Sequence, residues 1–422
     1  MKSLIEFLKD FFLNDPDGPP RSEEEIRADR RALKRTLLWT FAIGMGVVVV
    51  GMIGLMTLAG RAQGRLYGPE GAHRLIVPLP PVTFDGDGTL HAFMDEPPFG
   101  PHVEKHAPKK SAILGADRDV LVYLPPGYDK SAAPYPLLVV FHGYLDRPLH
   151  TLTPVVNQLD DKIRAGTMPP CVAIVPDLSL GGRGRDLPTT PLDDRLGSWG
   201  LNSNRGRYND WIFDELVPWM RAEYNATDDA ARTILTGFSA GGYLAVLTML
   251  RDSSLADTVI AISPALDLRY SVNGDRLAAY DPKGYQPITT DDPNRPVVKL
   301  GPYGTYTDAW AFWPVFNSDE TPGPVWKNDL PVWQRLKDNN PADLLRDEAP
   351  DLSGHAVYLV VGAQDEFKFF NQVQVVRPLL AKAGAELFPD DPIRPGHHEG
   401  TFVTEQMSLA FDWLGPRLSS QD

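Results

Sequence analysis

Residues 233–249 read TILTGFSAGGYLAVLTM, an apolar run that breaks at glycines around Ser239 and then resumes. TILTGFS has the length and aliphatic character of a buried strand, and AGGYLAVLTMLRD continues as a helix. A serine at that joint admits two readings: a nucleophile held out on a strained turn, or an ordinary helix cap. Gly237-Phe238-Ser239-Ala240-Gly241 matches G-x-S-x-G. In that pattern, glycines on either side of the serine let strand and helix approach closely while the hydroxyl projects from the top of the sheet. The N–H of Ala240 is then aimed at charge developing on an attacked carbonyl oxygen. Gly242 eases the same packing.

Outward from this stretch, short apolar runs alternate with helical ones. RDVLVYLP, YPLLVVFHG, CVAIVPD, TVIAISPAL and HAVYLVVGAQD read as strands. YNDWIFDELVPWMRAEY, QVVRPLLAKAG and TEQMSLAFDWL carry apolar residues at helical spacing. Strands and helices alternating at these lengths predict an α/β fold, a mostly parallel sheet covered on both faces, over residues 106–418. Residues 269–345 interrupt the rhythm with Pro, Gly, Asp and Trp310, Trp313, Trp326 and Trp333. This stretch is too long for a plain loop, and reads either as a wall over a site or as an inserted subdomain with its own aromatic core.

A serine hydroxyl needs a base, and the base needs an acid to orient it. HAVYLVVGAQDEF ends at Asp365, where an acid just past a strand end is expected, with Glu366 as the reserve and Glu399 a weaker one. RPGHHEG then offers His397 and His398 ahead of a final helix. His397, directly after Gly396, is the expected base, and His398 the neighbour that shapes the site; the spacing also permits the exchange of the two. A second donor to the oxyanion is expected from the turn in VVFHGYLDRP, through the N–H of Tyr144 or Leu145. His142, beside that turn, reads as a hydrogen-bonded structural histidine.

The chain has 422 residues, 43% hydrophobic and 23% charged, with a formal charge of −14. That balance leaves no basic face to neutralise phosphates and argues against a nucleic-acid partner. The one cysteine, Cys171, cannot form an internal disulfide and reads as a small buried side chain at a strand start. The DGDG stretch at 85–88 lacks the later ligands of a calcium loop, and no metal is expected. Residues 37–60, LLWTFAIGMGVVVVGMIGLMTLAG, hold no charge. At about 1.5 Å per residue they span a hydrocarbon core of about 30 Å. Arg27, Arg30, Arg31, Lys34 and Arg35 precede them, so residues 1–36 are expected as a cytoplasmic tail and everything after 60 outside, with 61–105 as a spacer. The expectation is an uncleaved signal anchor: a single-pass membrane protein with an extracytoplasmic catalytic domain.

RDVLVYLPPGYDKSAAPYPLLVVFHG, the block from YNDWIFDELVPWMRAEY to TGFSAGG, and the GAQD…PGHHEG pair resemble the esterase D/feruloyl-esterase-like branch of the α/β-hydrolases. The likeness covers roughly 110–270 and 355–415. It implies an α/β-hydrolase fold in which nucleophile, acid and histidine follow in that chain order, here Ser239, Asp365 and His397. It further implies oxyanion donors near Tyr144 and Ala240 and no organic or metal cofactor. Members act on varied esters, and some transfer the acyl group instead. Two features depart from the family: Glu399-Gly400-Thr401-Phe402 stands where a Trp-containing segment is common, and the 269–345 stretch has no counterpart. The expected function is a membrane-anchored serine esterase. An acyltransferase passing the acyl group to a glycan or lipid hydroxyl is the alternative, and a non-catalytic envelope protein binding glycan or lipid is the reading of a different class.

Overall fold

The computed structural model describes residues 103–180, 196–270, 297–299, 305–307, 315–316 and 332–420. These belong to the second of two units of the chain, Thr83–Asp422. The expected span at 37–60 and Trp310, Trp313 and Trp326 lie outside the described residues. Among the described residues, no helix is long and apolar enough to cross a membrane.

The centre is a nine-stranded sheet. Numbering only its strands, β1 is Val103–Lys110, β2 Asp117–Tyr123, β3 Leu137–Phe141, β4 Val172–Pro176 and β5 Thr233–Phe238. They are followed by β6 Thr258–Ile262, β7 Ala356–Gly362, β8 Glu386–Phe388 and β9 Ile393–Arg394. The order is β1-β2-β4-β3-β5-β6-β7-β8, with β9 also paired to β7. β1 and β2 run antiparallel to their neighbours and all other pairs are parallel. β1 begins at Val103, ahead of the expected domain start at 106. This is the predicted mostly parallel α/β architecture.

Every residue of β3, β4, β6 and β7 is buried, because helices cover both sheet faces. On one face Leu137, Val139 and Phe141 of β3 pack with helix α3 (Ala240–Arg251), α2 (Val217–Tyr224) and α6 (Phe369–Lys382). On the other, Leu138 and Val140 pack with α1 (Asn157–Arg164) and α7 (Gly400–Ser419). The period of two along β3 thus divides one run between two cores. Cys171 is fully buried at the start of β4, as expected, and burial pushes its thiol pKa up.

Two short helices, α4 (Val332–Asp338) and α5 (Pro341–Asp347), close the 269–345 stretch. A buried polar cluster ties α5 to the segment after β6. Asp267 is paired with Arg269, and Asn340 Nδ2 donates to Asp267 Oδ1 (3.1 Å) and to Asp343 Oδ2 (2.7 Å). Arg346 Nη1 donates to Asp343 Oδ1 (3.1 Å), and the main chain joins through Leu268 N to Asn340 Oδ1 (2.9 Å) and Ala342 N to Leu266 O (3.1 Å). Burial, opposed by Arg269 and reinforced by Asp267, raises the Asp343 carboxyl to about 6. Both ends of the interrupting stretch are therefore fastened at one place.

Candidate active site

β5 is a central strand, and its carboxyl end delivers Ser239 directly into the first turn of α3. Ser239 has φ 57° and ψ −119°, a conformation that costs an L-residue of order 1–3 kcal/mol and persists only where packing dictates it. The packing is visible in the flanking glycines. A Cβ on Gly237 would collide with the main chain of Gly241, and one on Gly241 with the carbonyl of Phe141 at the end of β3. Ser239 N donates to Ile262 O of β6 (3.0 Å) and Ser239 O accepts from Tyr243 N (2.9 Å), so both sides of the joint are fixed. The serine is half-buried, lying at the rim rather than in the core.

Asp365 follows the end of β7. Its side chain is fully buried, and its Oδ1 accepts the Phe367 N–H (2.9 Å). Its Oδ2 lies 2.7 Å from Nδ1 of His398, and His398 Nε2 lies 3.0 Å from Ser239 Oγ. The imidazole is packed by the rings of Phe238, Phe367 and Phe369 at centroid distances of 4.5, 4.8 and 5.3 Å. With Asp365 accepting from Nδ1–H, the tautomer is set and Nε2 faces the serine hydroxyl as an acceptor.

The structure places His397, the expected base, away from the serine and His398, the permitted exchange, beside it. His397 does not face Ser239: its Nδ1 is 2.9 Å from Glu366 Oε1 and its side chain is 55% exposed, against 7% for His398. Adjacent side chains leave the main chain in different directions, and only one can face the end of β5. The parallel register of β7 and β9, with Gly362 opposite Arg394, decides which. The pairing continues past the strands, Ala363 N donating to Arg394 O (2.7 Å) and Gln364 N to Gly396 O (2.9 Å), which brings His398 alongside Asp365. Gly396 has φ 149° and a Cβ there would run into the Phe402 ring, so the turn into α7 is also fixed. Glu366, the reserve acid, contacts the histidine pair without touching the His398 ring. Glu399 hydrogen-bonds Thr401 instead (2.7 Å).

The turn after β3 lies beside this serine. Phe141 is in register with Gly237, and a Cβ on Gly143 would come within 3.5 Å of the Phe238 ring. The turn closes through Asp146 N to Gly143 O (3.0 Å), carrying Tyr144 and Leu145. His142 is structural, as read from the sequence: its Nε2 accepts from Leu178 N (2.8 Å) and its Nδ1 donates to Gly143 O (2.8 Å). One element escaped the sequence reading. Trp199, with φ 55°, lies between the rings of Tyr144 (5.6 Å) and Tyr243 (5.1 Å), bridging this turn to α3. Nothing in its local sequence marks it, because its neighbours come from two distant segments. No group of metal-ligating side chains occurs among the described residues.

The family model described as "Putative esterase" matches residues 111–384. No curated protein matches the chain. Among solved structures, the chain is similar to a ferulic acid esterase at 15% identity and TM-score 0.51, over 75% of this chain and 99% of that one. It is also similar to an S-formylglutathione hydrolase from Agrobacterium tumefaciens (16%, TM-score 0.49, 75% and 94%). A third is FphF, a fluorophosphonate-binding serine hydrolase of Staphylococcus aureus (14%, TM-score 0.48, 75% and 99%). The first of these shows the common fold, that of the α/β-hydrolases.

Proposed function

Since the chain belongs to this esterase family and is a carboxylic ester hydrolase, we propose that Ser239, His398 and Asp365 are its catalytic triad. The observation that carries the proposal is the unbroken chain of contacts, Ser239 Oγ to His398 Nε2 at 3.0 Å and His398 Nδ1 to Asp365 Oδ2 at 2.7 Å. Ser239 Oγ attacks the ester carbonyl as His398 Nε2 takes its proton. Asp365 stabilises the imidazolium that forms. The tetrahedral oxyanion is met by the N–H of Ala240, at the start of α3, and by an N–H of the 143–145 turn. His398 returns its proton to the departing alkoxide, leaving an acyl-enzyme on Ser239. Water, activated by the same imidazole, then releases the acid.

The residues around this turn support a strained nucleophile over a helix cap, since Ser239 has a φ of 57° where an ordinary N-cap is extended, and its side chain caps nothing in α3. The uncharged stretch 37–60 and the basic residues before it support a further part of the proposal, that the hydrolase domain is held at a membrane on the extracytoplasmic side. The test is hydrolysis of p-nitrophenyl acetate and butyrate by the wild type and by Ser239→Ala, with fluorophosphonate labelling beside it. Turnover and labelling are expected in the wild type and neither in the variant. A folded wild type that does neither would defeat the proposal. Ester formation with an added alcohol would assign acyl transfer to the same residues.

A further inference from the structure

Consecutive residues after β7 each hold a residue of the loop that bears the histidines. Gln364 grips Gly396 from both sides, its N–H donating to Gly396 O (2.9 Å) and its Oε1 accepting from Gly396 N (2.7 Å). Asp365 holds the His398 ring (2.7 Å). Glu366 spans two residues: its Oε2 accepts the His398 main-chain N–H at 2.9 Å, and its Oε1 lies 2.9 Å from His397 Nδ1. The imidazole and the main chain of His398 are therefore held by two adjacent carboxylates, each through a different atom.

We infer that Glu366 is a positioning residue for the general base: by fixing the His398 main chain, with His397 as its brace, it keeps Nε2 aimed at Ser239. This inference rests on the triad reading above. The ring contacts alone do not define the aim. The phenyl groups limit the tilt of the imidazole, and Asp365 fixes one end, but neither restrains where the Cα sits. The loop itself is short of core contacts, since Pro395, His397 and Glu399 are exposed. The hydrogen bonds from 364–366 supply the anchorage that burial supplies elsewhere. Partial burial works to raise the Glu366 carboxyl. The N–H groups of His398 and Glu366 itself, and the His397 imidazole, outweigh it and hold the carboxyl below the ordinary range. These contacts thus favour the ionised form of Glu366 that grips the loop.

The experiment uses the full chain and its Glu366→Ala and Glu366→Gln variants. Gln keeps an acceptor for the His398 N–H and removes the charge. With p-nitrophenyl acetate, Glu366→Ala is expected to lower kcat by about 10- to 100-fold, the size of a sub-ångström to ångström misplacement, with KM and Tm little changed. Glu366→Gln is expected to restore most of that loss. A second readout is independent of turnover: the low-field imidazole proton of the Asp365–His398 hydrogen bond, expected in the wild type and in Glu366→Gln and broadened or lost in Glu366→Ala. Wild-type kcat and an unchanged resonance in Glu366→Ala would overturn the inference. So would equal losses in both variants, which would assign the effect to charge. If the wild type hydrolyses no ester while the resonance still depends on Glu366, the positioning holds and the triad reading fails instead.

Discussion

At the scale of single residues, the adjacent histidines are the sharpest contrast in the molecule. Both have a carboxylate at Nδ1, but His398 is enclosed and faces Ser239, while His397 is exposed on the outer side of the same loop. His398→Ala is expected to lower kcat by about 10²- to 10⁴-fold or more, as loss of a general base does. His397→Ala is expected to lose a small part of that, since it removes only the brace on Glu366. Steady-state kinetics on the two variants checks this, and the reverse ranking would restore His397 as the base. The places of Ser239, Ala240, Asp365, Tyr144 and Leu145 in the fold were legible from sequence because each is counted from the end of a buried strand, where the pattern is strong. His397 and His398 were not distinguishable. They sit in a loop with no periodicity, and their directions depend on pairing between β7 and the two-residue β9, which is too short to leave a pattern.

At the scale of elements, buried runs declared themselves and polar ones did not. β2 to β7 of the main sheet are recognisable as apolar runs, and helices α2, α3, α6 and α7 by apolar residues at helical spacing. β1, by contrast, reads VEKHAPKK, and α1 reads NQLDDKIR, so neither carries a run of that kind. The segment from 332 to 347 read as part of an aromatic-rich interruption, yet α5 is a structural clasp whose polar residues are buried by partners more than seventy positions away. That clasp has a pH signature. Asp343 titrates at about 6 in the folded chain against 3.8 ordinarily, so its proton is held more tightly when folded. Its contribution to stability is full below pH 3.8 and is lost as the pH rises through about 6. Asp343→Asn cannot lose that proton. The wild type is therefore expected to decline relative to the variant by up to about 3 kcal/mol between pH 4 and 7. Urea unfolding at several pH values measures the slope. A difference that does not vary with pH would remove Asp343 as its source.

At the scale of the whole molecule, the chain carries an uncharged stretch at 37–60 ahead of its hydrolase domain. If the latter is an anchor, the full chain should sediment with membranes and resist alkaline carbonate, whereas residues 67–422 should stay in the supernatant with the same kcat on p-nitrophenyl acetate. Full-length protein released by carbonate would exclude a spanning helix. A lower kcat in the shorter chain would instead give the first 66 residues a part in the reaction.

The order of the residues along the chain has one more consequence. In the proposed triad Ser239 meets its base, His398, across 159 positions, and that histidine lies just ahead of the last described helix, α7. Most of the sheet can exist on a growing polypeptide while the serine still has no imidazole to take its proton. Competence therefore arrives late, when the last elements have been synthesised and docked. A nascent or prematurely terminated chain, however well its early strands pair, would sit beside its ester substrates chemically silent.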